Sequence, residues 1–337
     1  MNPKWRRRIA SLDVHESLPS TNEALLNAAS PPPAGRIAAC LAHHQSAGRG
    51  RGGKQWHSPP GAGLLLSVSR AAPHPPDSSL ALALGVAAAE ALEAFAAVDM
   101  RLKWPNDLIA DNGKLGGILV ESASRTGAET LIVAGLGVNL RVSDEQRRQV
   151  AEEGGMAPSA LEDWPARGPL DRHKLAADMI AALAGVLETH PVQGFRPWEE
   201  SWRLRDWLRG RSIEARCGNK AHRGEAAGVD SSGALLLKEP GGERRRILSA
   251  EIRLGAPPLR APFFSIWEIR GSNGPGCPAL AISAKAPVAR RRLSGQVLYS
   301  RLKAALSRRS TGAAPPHRSL RTLAKREPRR AWAICHS

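Results

Sequence analysis

Gly48-Arg49-Gly50-Arg51-Gly52-Gly53-Lys54-Gln55-Trp56 puts four glycines, three cations and an indole into nine residues. Glycines let backbone N–H groups come close to an anion, and the cations supply charge. The spacing imitates two phosphate-binding signatures. Gly48, Gly50 and Gly53 satisfy G-x-G-x-x-G, and Gly48, Gly53 and Lys54 satisfy most of a P-loop. Both signatures must open a helix, and a P-loop needs Ser or Thr after its Lys. Gln55 stands there, and Trp56-His57-Ser58-Pro59-Pro60 does not start a helix. The chemistry of an anion-binding loop survives, without either fold. The bland alternative is a solvated basic hairpin.

Outward from this loop, Ile37–Ala42 reads as a buried strand leading in, and Gly63–Ser69 as the strand leading out. Ser20 and Glu23 have the spacing of a capped helix start, and Pro31-Pro32-Pro33 ends that short helix. Leu80–Val98 reads as an amphipathic helix; Glu90 and Glu93 interrupt it and exclude a membrane span. Arg101–Trp104, Leu115–Glu121 and Thr130–Leu140 are strands, with turns at Asp111-Asn112-Gly113 and Arg125-Thr126-Gly127. Residues 141–170 are polar, without a clear period. Asp171 caps a helix to Leu187, and Trp198, Trp202 and Leu208 continue a helical region. After Gly210, Ser212–Arg216, Glu225–Val229, Ala234–Lys238 and Arg246–Leu248 alternate as short strands of a small barrel.

The chain has 337 residues and a net charge of +17. Residues 255–337 hold sixteen Lys and Arg against Glu268 and Glu327, so +14 lies there and only +3 on residues 1–254. The body is nearly neutral, and the basicity belongs to an appendage that reads as disordered, with a weak helix at Val288–Leu306. Cys40, Cys217, Cys277 and Cys335 have no metal-ligand spacing and read as inert thiols of a reducing compartment. The basic Lys4–Arg8 stretch is followed by polar residues, which excludes a signal peptide. A cytoplasmic protein without a membrane segment is expected.

Three further segments have the same character as the loop. Lys103-Trp104-Pro105-Asn106-Asp107-Leu108 turns sharply at a strand end, where site residues are often placed; the bland reading is an Asx-capped turn. Lys114 precedes Leu115-Gly116-Gly117, glycines that leave a strand backbone open to close approach. Gly135 and Gly137 share one face of the last strand and leave it flat.

These segments, in this order, resemble a bacterial biotin–protein ligase. The likeness rests on Ser20-Thr21-Asn22, Gln45–Arg51, Trp56-His57-Ser58-Pro59, Lys103–Leu108, Lys114–Glu121 and Gly135–Asn139, and it spans roughly residues 11–254. It implies an α+β catalytic domain over 1–206, with a mixed sheet flanked by helices. An SH3-like barrel follows over 207–254, and the basic low-order tail over 255–337. The implied reaction joins biotin and Mg²⁺-ATP as biotinyl-5′-AMP, then passes biotin to a lysine of a biotin carboxyl carrier protein, that of acetyl-CoA carboxylase or a similar carboxylase.

By the family pattern, Ser20, Thr21, Asn22 and Gln45 line the ureido end. Arg49, Gly50 and Arg51 wrap the carboxylate side, with Gly117 beside them. Lys114 bridges carboxylate and phosphate. Trp56 and Asn139 flank the adenine. Asp107 orients the incoming lysine or a magnesium-bound phosphate, and Lys103 supports it. No metal ligands are assigned. The first motif lies only about twenty residues into the chain, so the type without an N-terminal DNA-binding domain, and no specific DNA binding, is expected. The family pattern admits a homodimer paired through sheet edges. A lipoate–protein ligase shares the fold, but Gly48–Ser58 is of the biotin type. A nucleic-acid-binding protein is the reading from another class, motivated by residues 255–337 alone.

Overall fold

The computed structural model describes residues 8–255, apart from 112, 125–128, 153–154 and 169–170. The basic tail from 256, its Val288–Leu306 helix, Cys277, Cys335, most of the Lys4–Arg8 stretch and the turn at 125–127 lie outside the described residues.

Seven strands form one sheet in the order β1-β2-β3-β7-β6-β5-β4. They are β1 (Ile9–Leu18), β2 (Ile37–Gln45), β3 (Gly63–Ala72), β4 (Met100–Lys103), β5 (Asp107–Ala110), β6 (Gly113–Ser124) and β7 (Thr130–Asn139). The β1–β2 pair is parallel and the others are antiparallel, so the sheet is mixed. Strand period two separates its faces. Leu64, Leu66 and Val68 of β3 join Ile132, Ala134, Leu136 and Val138 of β7 in the main core. Against that face pack α2 (Ser79–Phe95) and α4 (Arg172–Gln193). By length and composition α4 could cross a membrane. Leu175, Met179, Ile180, Leu183 and Val186 are instead buried in this core. The opposite face carries the short helix α1 (Thr21–Leu26) and the glycine loop.

Sequence reading passes over three elements before residue 206, and over the closing strand Glu251–Leu254. β1 alternates poorly and is an edge strand with most side chains partly or fully exposed. β5 has four residues and follows directly on the Trp104-Pro105 turn. The helix α3 (Asp144–Glu152) buries no residue, so no apolar period marks it. The last helix before the second sheet, α5 (Glu199–Arg205), buries Trp202.

A second sheet of five strands follows, in the order β11-β10-β9-β8-β12. Its strands are β8 (Ser212–Cys217), β9 (Lys220–Val229), β10 (Leu235–Lys238), β11 (Arg244–Ile247) and β12 (Glu251–Leu254). It is fastened to the first sheet by specific bonds. Trp104 is 1% exposed, and its Nε1–H donates to the Gly233 carbonyl at 2.9 Å. Losing that acceptor would leave a buried indole N–H unpaired, a cost of about 1–3 kcal/mol. Ser78 Oγ donates to the Ser232 carbonyl at 2.7 Å, and the Trp207 amide donates to the Leu102 carbonyl at 2.9 Å.

One buried histidine makes the fold sensitive to acid. His190, near the end of α4, is buried, lies 2.8 Å from Ser79 Oγ and stacks on Trp198. The Ser79 hydroxyl donates to Asp77 at 2.5 Å, so the imidazole donates to Ser79 through Nε2–H. Burial lowers the His190 pKa below its ordinary value, and Asp77 opposes this only in part. The unfolded chain therefore takes up this proton first as pH falls below about 6.5. Stability is lost below that value, down to the depressed native pKa. His190→Gln is expected to narrow the gap between melting temperatures at pH 7.5 and pH 5.5. An unchanged gap would assign the acid sensitivity elsewhere.

Candidate functional site

The sheet register builds the site. Lys103 lies opposite Asp107, Asp107 opposite Gly117, Gly117 opposite Gly137, and Gly137 opposite Leu65. Residues directly opposite in antiparallel strands point to one face, so this is a single row across four strand boundaries. The next row holds Leu119, Gly135, Ser67 and Cys40. Both rows lie on the α1 face. A register shift between Leu108 and Ile109 brings Lys114 to the face that carries Asp107. Re-aiming a side chain is what a bulge does.

At one end of the first row, Asp107 sits between two ammonium groups. Lys114 Nζ is 2.7 Å from Asp107 Oδ1, and Lys103 Nζ is 3.6 Å from Oδ2. Arg51 joins them from the glycine loop. Burial pulls its guanidinium below the ordinary arginine value, and the charge of Asp107 opposes that. Lys114 and Lys103 pair with this one carboxylate and Arg51 adds a positive charge at longer range, so these four groups carry an excess of two positive charges.

The middle of the row is flat. An ideal Cβ at Gly137 would lie 2.8 Å from Trp56 Cε2, so the indole rests directly on the strand backbone. Lys114 Nζ is 5.6 Å from the centroid of the same ring, a cation–π distance. Trp56 Nε1–H is buried and has no hydrogen-bond partner.

The second row ends in a polar corner under α1. Ser20 caps α1, accepting from the Glu23 amide at 3.5 Å. The Thr21 amide and hydroxyl both point to Gln45 Oε1, at 2.7 and 3.0 Å. Ser67 Oγ lies 2.7 Å from Thr21 Oγ1 and 2.6 Å from Asn22 Oδ1. Asn22 Nδ2 donates to the Leu119 carbonyl at 3.2 Å and to Glu121 Oε2 at 2.7 Å. Two hydroxyl protons, from Thr21 and Ser67, must serve three short oxygen–oxygen contacts. The corner is one donor short.

The glycine loop closes as a hairpin through the Gly50 amide to the Lys54 carbonyl and the Trp56 amide to the Gly48 carbonyl, at 2.6 and 2.9 Å. Gly52 and Gly53 take the left-handed φ values of +67° and +76° that the turn requires. Its cations are held, not dangling. Arg49 Nη2 is 3.3 Å from Glu121, and Lys54 Nζ is 2.8 Å from Glu251. Arg51 donates to Ser249 Oγ at 2.5 Å and the Ala250 carbonyl at 3.4 Å, with its guanidinium 6.0 Å from the Trp104 ring centroid.

The structure thus gathers Thr21, Asn22 and Gln45 in one corner and Lys103, Asp107, Lys114 and Arg51 at the opposite end. Gly117 and Trp56 lie between, and Arg49 at the rim. Asn139 braces the floor: its Nδ2 donates to the carbonyls of Lys114 and Ser159, at 3.2 and 3.1 Å. Gly50 spends its amide inside the hairpin. Ser67 and Glu121 also belong to the constellation. The signal for Ser67 is a hydroxyl inside the apolar run Leu64–Val68. The signal for Glu121 is a carboxylate spaced two and four residues from Leu119 and Gly117 on one strand. Among the described residues no group of three His, Cys, Asp or Glu could hold a metal ion. Cys40 is buried, and burial foremost, then Asp13, pushes its thiol up to about 12. It is inert at neutral pH.

Two family descriptions match the chain. The biotin/lipoate A/B protein ligase family covers residues 14–139, and the biotin protein ligase C terminal domain covers residues 210–255. The bifunctional ligase/repressor BirA of Escherichia coli (strain K12) is 37% identical over 233 residues, which is 68% of this chain and 70% of that protein. The biotin--[acetyl-CoA-carboxylase] ligase of Paracoccus denitrificans is 34% identical over 220 residues, 64% of this chain and 89% of that protein. A biotin protein ligase from Aquifex aeolicus, solved in complex with biotin and ATP, superposes with a TM-score of 0.58 at 22% identity. The match covers 74% of this chain and 100% of that one, and at this identity it speaks for the fold.

Proposed function

Because the chain belongs to the biotin/lipoate A/B protein ligase family, we propose that this enzyme joins biotin to AMP and then to a carrier lysine. The observation that carries the choice of acid is the donor-poor corner of Thr21, Ser67, Asn22 and Gln45. A ureido ring brings two N–H donors and one carbonyl, which suits a cluster with more oxygen contacts than protons. The dithiolane of lipoate brings neither, and would leave buried polar atoms unpaired.

In the first half-reaction a carboxylate oxygen of biotin attacks the α-phosphorus of ATP. The new P–O bond forms as the bond to the bridging oxygen breaks, and pyrophosphate leaves. Two anions must touch, so fixed cations are the main lever. Lys114 and Lys103 supply them from positions set by the sheet, and Arg51 from the glycine loop. Trp56 supplies a flat apolar surface over Gly117 and Gly137, and its unpaired N–H is free for a ligand oxygen. Magnesium favours octahedral oxygen coordination and keeps nucleotide phosphates and water as most of its ligands. Asp107 offers it one carboxylate, so the residues fit an ion that arrives with the nucleotide. Bound there, it would neutralise phosphate charge.

In the second half-reaction the neutral amine of the carrier lysine attacks the carbonyl carbon of the mixed anhydride. The C–N bond forms, the bond to the phosphate oxygen breaks, and AMP leaves. Asp107 takes the proton that the amine sheds. Lys114 Nζ pairs with that carboxylate at 2.7 Å. An anionic intermediate draws the Lys114 ammonium to itself and leaves Asp107 with Lys103 alone. The base is then uncovered only when there is something to attack. The acceptor is a lysine of a carrier domain of the kind that the Paracoccus relative's name points to.

The test is incubation with biotin or lipoate, α-labelled ATP and a biotin carboxyl carrier domain. Labelled biotinyl-5′-AMP and a biotinylated carrier are expected. Turnover with lipoate in preference to biotin, or with neither, would overturn this reading.

A further inference from the structure

Lys114 stands where its strand loses both regular partners. β7 pairs with β6 only from Gly116 onward, and the register against β5 shifts between Leu108 and Ile109. The segment 157–163 takes the place that β7 vacates. Pro158 bridges Lys114 in parallel. The Lys114 amide donates to the Ala157 carbonyl at 2.8 Å, and the Ser159 amide donates to the Lys114 carbonyl at 2.9 Å. Ser159 Oγ donates to the Ala110 carbonyl at 2.9 Å and lies so close over Gly113 that a Cβ there would meet it at 2.2 Å. In such a bridge the nitrogen and carbonyl of the central residue point away from the strand they join. A proline therefore costs no bond at this position. The Pro158 carbonyl is taken by Arg147 Nη1 at 2.7 Å. Arg147 Nη2 reaches both oxygens of Asp163, at 3.1 and 2.9 Å, and Asp163 Oδ2 accepts from the Ala160 amide at 2.9 Å. One guanidinium thus grips the segment at two points. It belongs to α3, a helix that buries no residue. Its start is fixed by a reciprocal cap: Ser143 Oγ accepts from the Gln146 amide at 3.2 Å, and Gln146 Oε1 from the Ser143 amide at 2.9 Å.

We infer that Arg147 is a positioning residue for Lys114: it fixes the segment 157–163, and that segment fixes the backbone of the lysine. The inference rests on the reading of Lys114 as the cation between carboxylate and phosphate. Asp107 draws the Lys114 ammonium from one end, at 2.7 Å, and the segment holds its main chain at the other. With both ends set, Nζ has one place to be. With the segment loosened, the main chain yields and Nζ follows Asp107 alone, away from the line between the two anions. Arg147 itself touches neither the sheet row nor the Lys114 side chain, so its whole effect on the chemistry passes through that one residue.

Arg147→Ala is expected to slow pyrophosphate release at saturating biotin and ATP by about 10-fold, short of the roughly 10²-fold that a full 1 Å misplacement costs. Transfer to the carrier from synthetic biotinyl-5′-adenylate should keep its wild-type rate, because that step needs no new anion pair. In a Lys114→Ala background the same substitution should cost less than about two-fold, since the group it positions is gone. A merely structural role would instead lower the rate by the same factor in both backgrounds. Asp163→Asn keeps an oxygen for the Ala160 amide but drops the charge that Arg147 pairs with. It should repeat the pattern at about 3-fold, the size of a part-exposed ion pair converted to a ratio, and it keeps the question open to measurement should Arg147→Ala fail to fold. Equal losses with and without Lys114, equal losses in the two half-reactions, or wild-type pyrophosphate release by both variants would overturn this inference alone. Wild-type protein that forms no biotinyl-5′-AMP would overturn the ligase reading and this inference with it.

Discussion

Lys114→Ala is expected to slow pyrophosphate release from biotin and ATP by about 10²–10³-fold, the cost of losing one well-placed electrostatic donor. Lys114 is only 2.7 Å from Asp107 and lies over the Trp56 ring, so its ammonium is aimed at the centre of the row. Removing it leaves Asp107 with Lys103 and Arg51, and the excess positive charge falls from two to one. The ground-state anions then repel each other with less compensation, and the developing charge loses its closest counter-charge. The second half-reaction should suffer far less, because preformed biotinyl-5′-adenylate needs no new anion pair. Single-turnover transfer from the synthetic adenylate separates the halves. Wild-type pyrophosphate release by Lys114→Ala, with an unchanged circular dichroism spectrum, would remove Lys114 from the chemistry.

Gly135→Ala should raise the dissociation constant for biotin by about 10²-fold, or nearly 3 kcal/mol. A Cβ at this position would stand 2.3 Å from Asn22 Oδ1 and 2.9 Å from its Cγ. Backbone cannot yield in the middle of a strand paired on both sides, as β7 is by β3 and β6. The Asn22 side chain must leave instead, and it gives up its bonds to Leu119, Glu121 and Ser67 together. Calorimetric titration reads the affinity. Adding Asn22→Ala to Gly135→Ala should recover melting temperature, since the clash is gone, without recovering biotin binding. Recovery of both would show that the corner recognises nothing through Asn22.

What the sequence could disclose depended on the range of the interaction. β2, β3 and β7 are visible because buried strands need unbroken apolar runs. α2 and α4 are visible because their apolar positions recur at helical spacing. The α1 start is legible because its cap bonds residues three apart. β1 and α3 carry little hydrophobic burden of their own, and β5, although Leu108, Ile109 and Ala110 are fully buried, is only four residues long, so none of the three left such a trace. The site divides the same way. The loop, Lys103, Asp107 and Lys114 announce themselves by composition within a few residues. That Lys103, Asp107, Gly117 and Gly137 form one row is a matter of strand register, which only the folded sheet supplies. Ser67 and Glu121 act through partners 46 and 99 positions away from them in Thr21 and Asn22. No local pattern marks such pairs. Asn139 shows the reverse: its short motif stands out, but its amide braces the Lys114 and Ser159 backbone.

The contacts of the glycine loop with Ser249, Ala250 and Glu251 reach across 197–199 positions. A ribosome adding about 5–20 residues per second needs roughly 10–40 s to cover that distance. Throughout that interval the nascent chain carries Arg51 and Lys54 without the partners that will hold them. The most highly charged loop of the catalytic half is thus among the first segments made and among the last to settle, and its final shape waits on the closing strand of the small sheet.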